Sequence, residues 1–224
     1  MSRFIFKEEL SYIDPDVKFL TQLENERQER KIIMIASESL CPEAVKETLA
    51  SNFTNIYAEG YPSLRMTTEE KHELSEYRRQ IPLFQRFYDR RYYKGCDYVD
   101  FVEALAMLRL AKLFETKEIS SEKIFTNVQS LSGAAANNAV YEAFINPGDT
   151  IMGMNLSHGG HLTHGSPVNR SGKRYNVVHY GVDSKTGFLD FDSIEKLAIK
   201  NKPKIIIAGY SAYPWDIDWA KFKE

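Results

Sequence analysis

Two short stretches of this 224-residue chain bring together side chains whose types and spacing suit chemistry. The first, Gln129-Ser130-Leu131-Ser132-Gly133-Ala134-Ala135-Ala136, follows the apolar run Ile124–Val128 and leads into an alanine-rich stretch. Read as strand, turn and helix, it puts Ser132, Gly133 and Ala134 at a helix N-terminus. Unbonded backbone N–H groups there carry partial positive charge, small residues admit an anion, and a serine hydroxyl adds a donor. A phosphate cradle is one use of such a tip, and plain serine capping is the other. It is neither a P-loop, since no Gly-Lys-Ser/Thr follows, nor the glycine-rich dinucleotide fingerprint.

The second stretch is Ser157-His158-Gly159-Gly160-His161-Leu162-Thr163-His164-Gly165, and four of the five histidines fall between His158 and His179. Spacing by three would suit metal ligands. The glycine pair, however, breaks any single rigid helix that could present all three rings, and no acidic ligand is near in sequence, so no metal is assigned. An imidazole also stacks flat on an aromatic ring, and glycines let backbone and ligand approach. His161 is read as such a stacking residue, and His158 and His164 as loop histidines held by hydrogen bonds.

The elements that must position these groups alternate. Asp14-Pro15 caps a surface helix with Val17, Leu20 and Leu23 on one face, Ile32–Ala36 is a short run expected to be buried, and Pro42 opens a helix carrying Val45, Leu49 and Phe53. Residues 97–114 form a helix with a stripe of Tyr98, Phe101, Val102, Leu105, Leu108 and Leu113. Strands are expected at Ile124–Val128, Thr150–Met154 and Tyr175–Tyr180, helices at Gly133–Phe144 and Asp192–Lys200, and a doubly buried strand at Lys204–Gly209. The alternation predicts an α/β layer fold with a largely parallel sheet. Residues 63–91 stand apart as a charged helical excursion interrupted by Pro82, with one face on the body and the other in solvent rather than on a nucleic acid.

Composition excludes several classes. A hydrophobic share of 43% and a charged share of 27% allow a sizeable core and argue against disorder. A net charge of -2 gives no global attraction for nucleic acid or an anionic membrane. No apolar run reaches the length of a signal peptide core or a membrane span. Cys41 and Cys96 have neither metal spacing nor the numbers for a disulfide framework, which suits reduced thiols in the cytoplasm.

Six segments, in order, resemble one family. They are Ile35-Ala-Ser-Glu38, Tyr57-Ala-Glu-Gly-Tyr-Pro62, Tyr92-Tyr-Lys-Gly-Cys-Asp-Tyr-Val-Asp100, Ser132-Gly-Ala134, the string from Gly153 to Asn169, and Ser211-Ala-Tyr-Pro214. The chain from about Asp14 onward is similar to the N-terminal portion of serine hydroxymethyltransferase. The resemblance implies a pyridoxal-phosphate enzyme of fold type I, aspartate-aminotransferase-like, with an incomplete large domain over residues 51–224 behind an N-terminal helical segment, residues 1–50. It implies reversible transfer of a one-carbon unit from serine to tetrahydrofolate, giving glycine and methylenetetrahydrofolate. The full-length protein would be a cytoplasmic homodimer or tetramer.

The resemblance also distributes roles. Ser132, Gly133 and Ala134 would hold the cofactor phosphate, His161 would stack on the pyridine ring, and Ser211 would bond the phenolic oxygen. Ser37 would hold the substrate carboxylate, and Glu59 would be the acid/base carboxylate. Tyr57 and Tyr93 would line the site and reach toward the neighbouring subunit, while Leu156, Gly160 and Leu162 would contact folate. The chain departs from the family in places. Residues 63–91 make the step from Tyr-Pro to Tyr-Tyr roughly 26 residues longer than usual. A shorter insertion lies near Lys117–Lys123, Ser39 replaces an Asn, and Ser130-Leu131 replaces Pro-His. Glu224 precedes the family's pyridinium-binding aspartate, Schiff-base lysine and substrate-clamping arginine. The expectation is therefore a fragment without turnover of its own, poorly soluble alone. Two other readings remain at this point: a threonine-aldolase-like lyase, and a non-catalytic protein that binds a partner or a phosphorylated ligand.

Overall fold

The computed structural model describes residues 8–69, 71–86 and 90–224. Its N-terminal part is helical and open. Helix α1 spans Leu10–Ile13 and α2 spans Pro15–Arg30, where the Asp14 carboxylate accepts the Val17 N–H at 3.0 Å and Pro15 takes the first turn. Helix α3 covers Glu43–Leu49. Ile32 is 90% and Met34 85% exposed, which corrects the expectation that Ile32–Ala36 is buried. Apolar composition supplies a reason for burial but no partner, and no described element folds over this run.

Three short helices follow: α4 at Leu64–Thr68, α5 at Lys71–Leu74 and α6 at Tyr77–Arg86, which runs through Pro82 instead of ending there. They deliver Met66, Leu74 and Phe84 onto helix α7, Asp97–Leu113, where Phe101 and Ala104 complete a buried cluster. The buried stripe of α7 is Phe101, Ala104, Met107 and Ala111, whereas Tyr98, Val102 and Leu113 face solvent. The small alanines are what let neighbours approach, so the stripe follows residue size as well as hydrophobicity.

Between α6 and α7 the chain returns to its own start. Gly60 and Arg91 form an antiparallel bridge, with Tyr61 N–H donating to Arg90 C=O at 3.0 Å and Tyr92 N–H to Glu59 C=O at 3.1 Å. Gly60 has φ +97°, and a Cβ there would lie 2.2 Å from the Arg90 oxygen. The Arg91 side chain is buried beneath this neck. Its Nε meets Asp100 at 2.7 Å, its Nη2 meets Glu103 at 2.6 Å, and its Nη1 donates to the Ala58 and Gly60 carbonyls at 2.8 and 2.9 Å. Burial pushes the Asp100 carboxyl above its ordinary range, and the Arg91 guanidinium works against that shift. The sequence reading placed Arg91 at the end of a solvated charged excursion. It is instead a buried hub whose three guanidinium nitrogens all have partners.

The second half is the α/β layer. Helix α8 spans Gly133–Phe144, strand β1 Thr150–Met154, helix α9 Arg170–Arg174, strand β2 Asn176–Tyr180, helix α10 Phe191–Asn201, strand β3 Ile205–Ile207 and helix α11 Trp219–Lys223. The sheet order is β2-β1-β3, all parallel, with Ile151 opposite Val177 on one side and Ile205 on the other. Side chains of β1 alternate between faces. Ile151 joins Tyr141, Ile145 and Tyr175 under α8, while Met152 and Met154 join Tyr180, Leu189 and Ile194 under α10. Helices therefore cover both faces of the central strand, as parallel sheets require.

Two expected strands differ. Ile124–Val128 forms no ladder: Phe125 is 77% exposed, and the segment is tied to α7 by Thr126 Oγ1 donating to the Met107 carbonyl at 2.9 Å. The Lys204–Gly209 run shortens to β3, an edge strand with half-buried Ile205 and Ile207 and an exposed Ile206, because it pairs on one side only. Among the described residues no helix is long and apolar enough to cross a membrane. The chain exposes 17169 Å², against about 10,500 Å² for a compact monomer of 25.8 kDa. Much apolar surface on α2, α3 and α8 is thus uncovered.

The hub makes a measurable prediction. Arg91→Met leaves Asp100 and Glu103 without their cation, and loss of a buried partner costs about 3–5 kcal/mol. Urea unfolding followed by circular dichroism should show that loss, and Asp100→Asn/Glu103→Gln in the same chain should recover part of it.

Candidate functional site

Ser132 caps α8: its Oγ accepts the Ala135 N–H at 3.2 Å, and its backbone is extended. The first-turn N–H groups of Gly133 and Ala134 have no acceptor within the helix. A Cβ on Gly133 would meet nothing within 4 Å, so the tip opens onto free space. Room, a hydroxyl and outward-facing N–H groups together fit a bound phosphate.

The histidine string leaves the C-terminal end of β1 as two 3-10 turns, Leu156–His158 and Leu162–His164. The ring of His161 caps the second turn. Its Nδ1 accepts the Thr163 N–H at 3.1 Å and lies 2.8 Å from Thr163 Oγ1. Asn137 Nδ2 donates to that same oxygen at 2.8 Å, which leaves the hydroxyl proton free to point at His161. Tyr141 on α8 donates to the Thr163 carbonyl at 2.8 Å, and Thr163 is fully buried. Nδ1 of His161 is thereby an acceptor, so the neutral ring carries its proton on Nε2.

This relay places the ring relative to the helix tip. Asn137 stands five residues along α8 from Ser132, an axial rise of about 7.5 Å. From Asn137, two hydrogen bonds of 2.8 Å reach the His161 ring. The two sequence-derived anchors lie in one neighbourhood, with α8 between them.

His158 and His164 are both held in place. His158 Nδ1 accepts the Val182 N–H at 3.1 Å, and His164 Nδ1 accepts the His161 N–H at 3.2 Å. Burial first, then the neighbouring His161 and His179, lowers His164 to about 4, so its ring is neutral near pH 7. Among the described residues no group of three His, Cys, Asp or Glu side chains is placed to hold a metal ion.

Ser211 arrives from the segment after β3. Its N–H donates to the Gly159 carbonyl at 2.8 Å, and the Ala212 N–H joins at 3.0 Å. Gly160 is buried, and a Cβ there would lie 2.1 Å from the Met154 oxygen, so backbone packs directly on backbone. Leu156 and Leu162 project outward, 49% and 41% exposed.

Tyr57, Glu59 and Tyr93 form a second group at the neck. The tyrosine rings meet edge to face at 5.3 Å. The negative charge of Glu59, then Tyr57, then burial and a hydrogen bond to Glu59 raise the Tyr93 phenol above its usual value. Gln129 joins this group to the helix tip: its Nε2 donates to Gly60 C=O at 2.7 Å and to Glu103 at 2.6 Å, three residues before Ser132. Ser37 is different. It sits on an exposed turn closed by Glu38 N–H to Ile35 C=O at 3.0 Å, within the open N-terminal part. Arg91, Gln129, Asn137 and Thr163 were not singled out from the sequence. Only Gln129, beside the Ser-Gly tip, carried a positional signal.

The model of the family described as "Serine hydroxymethyltransferase" matches residues 10–73 and 85–224. The chain belongs to the serine hydroxymethyltransferase family. It is 46% identical over 215 residues to a protein of that name from Prochlorococcus marinus and 44% identical over 215 residues to one from Acinetobacter baylyi. Each alignment covers 96% of this chain but only 43% and 44% of the relative. The chain thus spans less than half the length of these members of the serine hydroxymethyltransferase family.

Two outcomes follow from this geometry. Thr163→Val removes the hydroxyl between Asn137 and His161 but keeps the Thr163 N–H on Nδ1, so nitrogen-15 NMR of the imidazoles should show the His161 Nδ1 resonance shifting toward that of a less hydrogen-bonded nitrogen while Nε2 keeps its proton, with Thr163→Ser restoring the shift. His164 titrates lower when folded than when unfolded, so the unfolded chain binds the extra proton first. Stability is therefore full above pH 6.5 and falls by up to about 3 kcal/mol as pH drops toward about 4. Thermal melts at stepped pH should show this fall diminished in His164→Asn.

Proposed function

We propose that this chain forms the phosphate- and ring-holding part of a pyridoxal 5'-phosphate site, in a fold type I enzyme that moves a one-carbon unit reversibly between serine and tetrahydrofolate. The observation that supports the reading is the relay from α8 through Asn137 and Thr163 to His161, which ties the ring to the helix whose first turn is the Ser132 tip.

In this reading Ser132, Gly133 and Ala134 hold the phosphate through one hydroxyl and the first-turn N–H groups. His161 presents its ring face to the pyridine, and Ser211 donates to the phenolic oxygen from a segment already pinned to Gly159. Bound there, the cofactor supplies an electron sink for bond cleavage at the substrate's α-carbon. The chain's own residues orient and move protons. Glu59, next to the Tyr93 hydroxyl, accepts or returns a proton at the substrate hydroxyl and folate, and Tyr93 holds that carboxylate by donating to it. Ser37 is assigned to the substrate carboxylate, and Leu156, Gly160 and Leu162 to the folate.

Ser37 lies on an uncovered segment, and Tyr57 is 70% exposed. The large uncovered surface supports a homodimer or tetramer in which Tyr57 and Tyr93 face a neighbouring subunit and residues 1–50 pack as a helical segment outside the 51–224 domain. Neither Cys41 nor Cys96 is in a disulfide, which suits a cytoplasmic setting.

The direct test is calorimetric titration of the chain with pyridoxal 5'-phosphate and with pyridoxal. Binding of the phosphorylated form should weaken at least about tenfold in Ser132→Asp, which sets a carboxylate against the phosphate, while pyridoxal binds either chain poorly. Equal binding by both chains would remove the cradle. In the complete protein, serine cleavage that needs no tetrahydrofolate would point to an aldolase instead.

A further inference from the structure

Residues 74–84 lie outside the family match, yet the structure does not leave them idle. They carry Leu74, fully buried, and Phe84, 6% exposed, onto the outer face of α7. Phe84 meets Phe101 edge to face at 5.7 Å, Tyr77 meets the same ring at 5.1 Å, and Gln85 Nε2 reaches Asp97 at 3.1 Å at the start of the helix. The extra segment is thus docked along the first half of α7.

That same half of α7 holds the site's neck. Asp100 and Glu103 lie within one turn of Phe101 and Ala104, and they clamp Arg91, which grips the carbonyls on either side of Glu59. Buried Cys96, just before α7, points its Sγ at the Tyr57 carbonyl at 3.5 Å. The two ends of the segment meet at the Tyr61–Arg90 hydrogen bond, 3.0 Å long, and Arg90 lies over the Tyr61 ring at 5.0 Å.

We propose that the segment between Tyr61 and Arg91 is a brace. Phe84 and Leu74 fix the setting of α7 at which Asp100 and Glu103 hold Arg91, and so position the Tyr57–Glu59–Tyr93 group without touching substrate. Its importance for catalysis rests on the function proposed above; its geometry does not. Phe84 and Leu74 are positioning residues, and their loss acts at a distance along one helix.

The test uses the 224-residue chain, hydrogen exchange of assigned amides, and NMR of carbon-13-labelled tyrosine with Tyr93 assigned by Tyr93→Phe. In Phe84→Ala the Tyr61 and Tyr92 amides at the neck should exchange about tenfold faster while the Met152 amide in β1 stays protected. The Tyr93 phenol should titrate closer to the ordinary value of about 10. Phe84→Leu keeps most of the volume and should give the same changes at smaller size. Should Phe84→Ala expose β1 as well, Phe84→Leu decides the matter. Faster exchange in α6 with the neck amides and Tyr93 unchanged would overturn the proposal and make the segment an independent appendage. None of these readouts uses the cofactor, so failure to bind pyridoxal phosphate would count against the proposed function and leave this test intact.

Discussion

One guanidinium holds the neck of the candidate site together. Arg91 is buried, and its side-chain bonds gather two carboxylates on α7 and two carbonyls flanking Glu59. A buried ion pair is a weak source of net stability, because desolvation consumes most of the Coulomb gain. Its value here is geometric. The planar fork of arginine fixes directions as well as distances, which an ammonium could not do. Gln129 then extends the same network from Gly60 and Glu103 to the loop before Ser132.

The second organising device is the relay through Thr163. It converts the position of α8 into the orientation and tautomer of the His161 ring using uncharged groups only. Tyr141 reinforces it from one turn further along, and burial keeps that phenol protonated by raising it to about 12. The Ser132 tip and the His161 ring are thus attached to one helix through hydrogen bonds. The neck group is joined to it through a single glutamine.

How far the sequence foretold this depended on the range of the interaction involved. Helix α8, β1, β2 and α10 were legible because capping and periodicity are local: the Ser132 cap and the apolar runs each sit within a few residues of what they decide. Ile32–Ala36, Ile124–Val128 and Ile206 were misjudged because burial is a matter of partners, and hydrophobicity names none. Arg91 was misread as solvated since its carboxylates lie 9 and 12 residues away and its carbonyls more than thirty. Motif resemblance pointed to Glu59, His161 and Ser211, whereas Thr163 has no signature beyond its place in the histidine string and Asn137 lies outside every quoted motif.

Gly153 and Gly160 have a consequence for how the protein tolerates change. At both, main chain rests on main chain: a Cβ on Gly153 would come within 2.8 Å of His164, and one on Gly160 within 2.1 Å of the Met154 oxygen. Both glycines let the turns of the histidine string pack directly against the end of β1. Any larger residue at either position would have to push the histidine string away from the sheet.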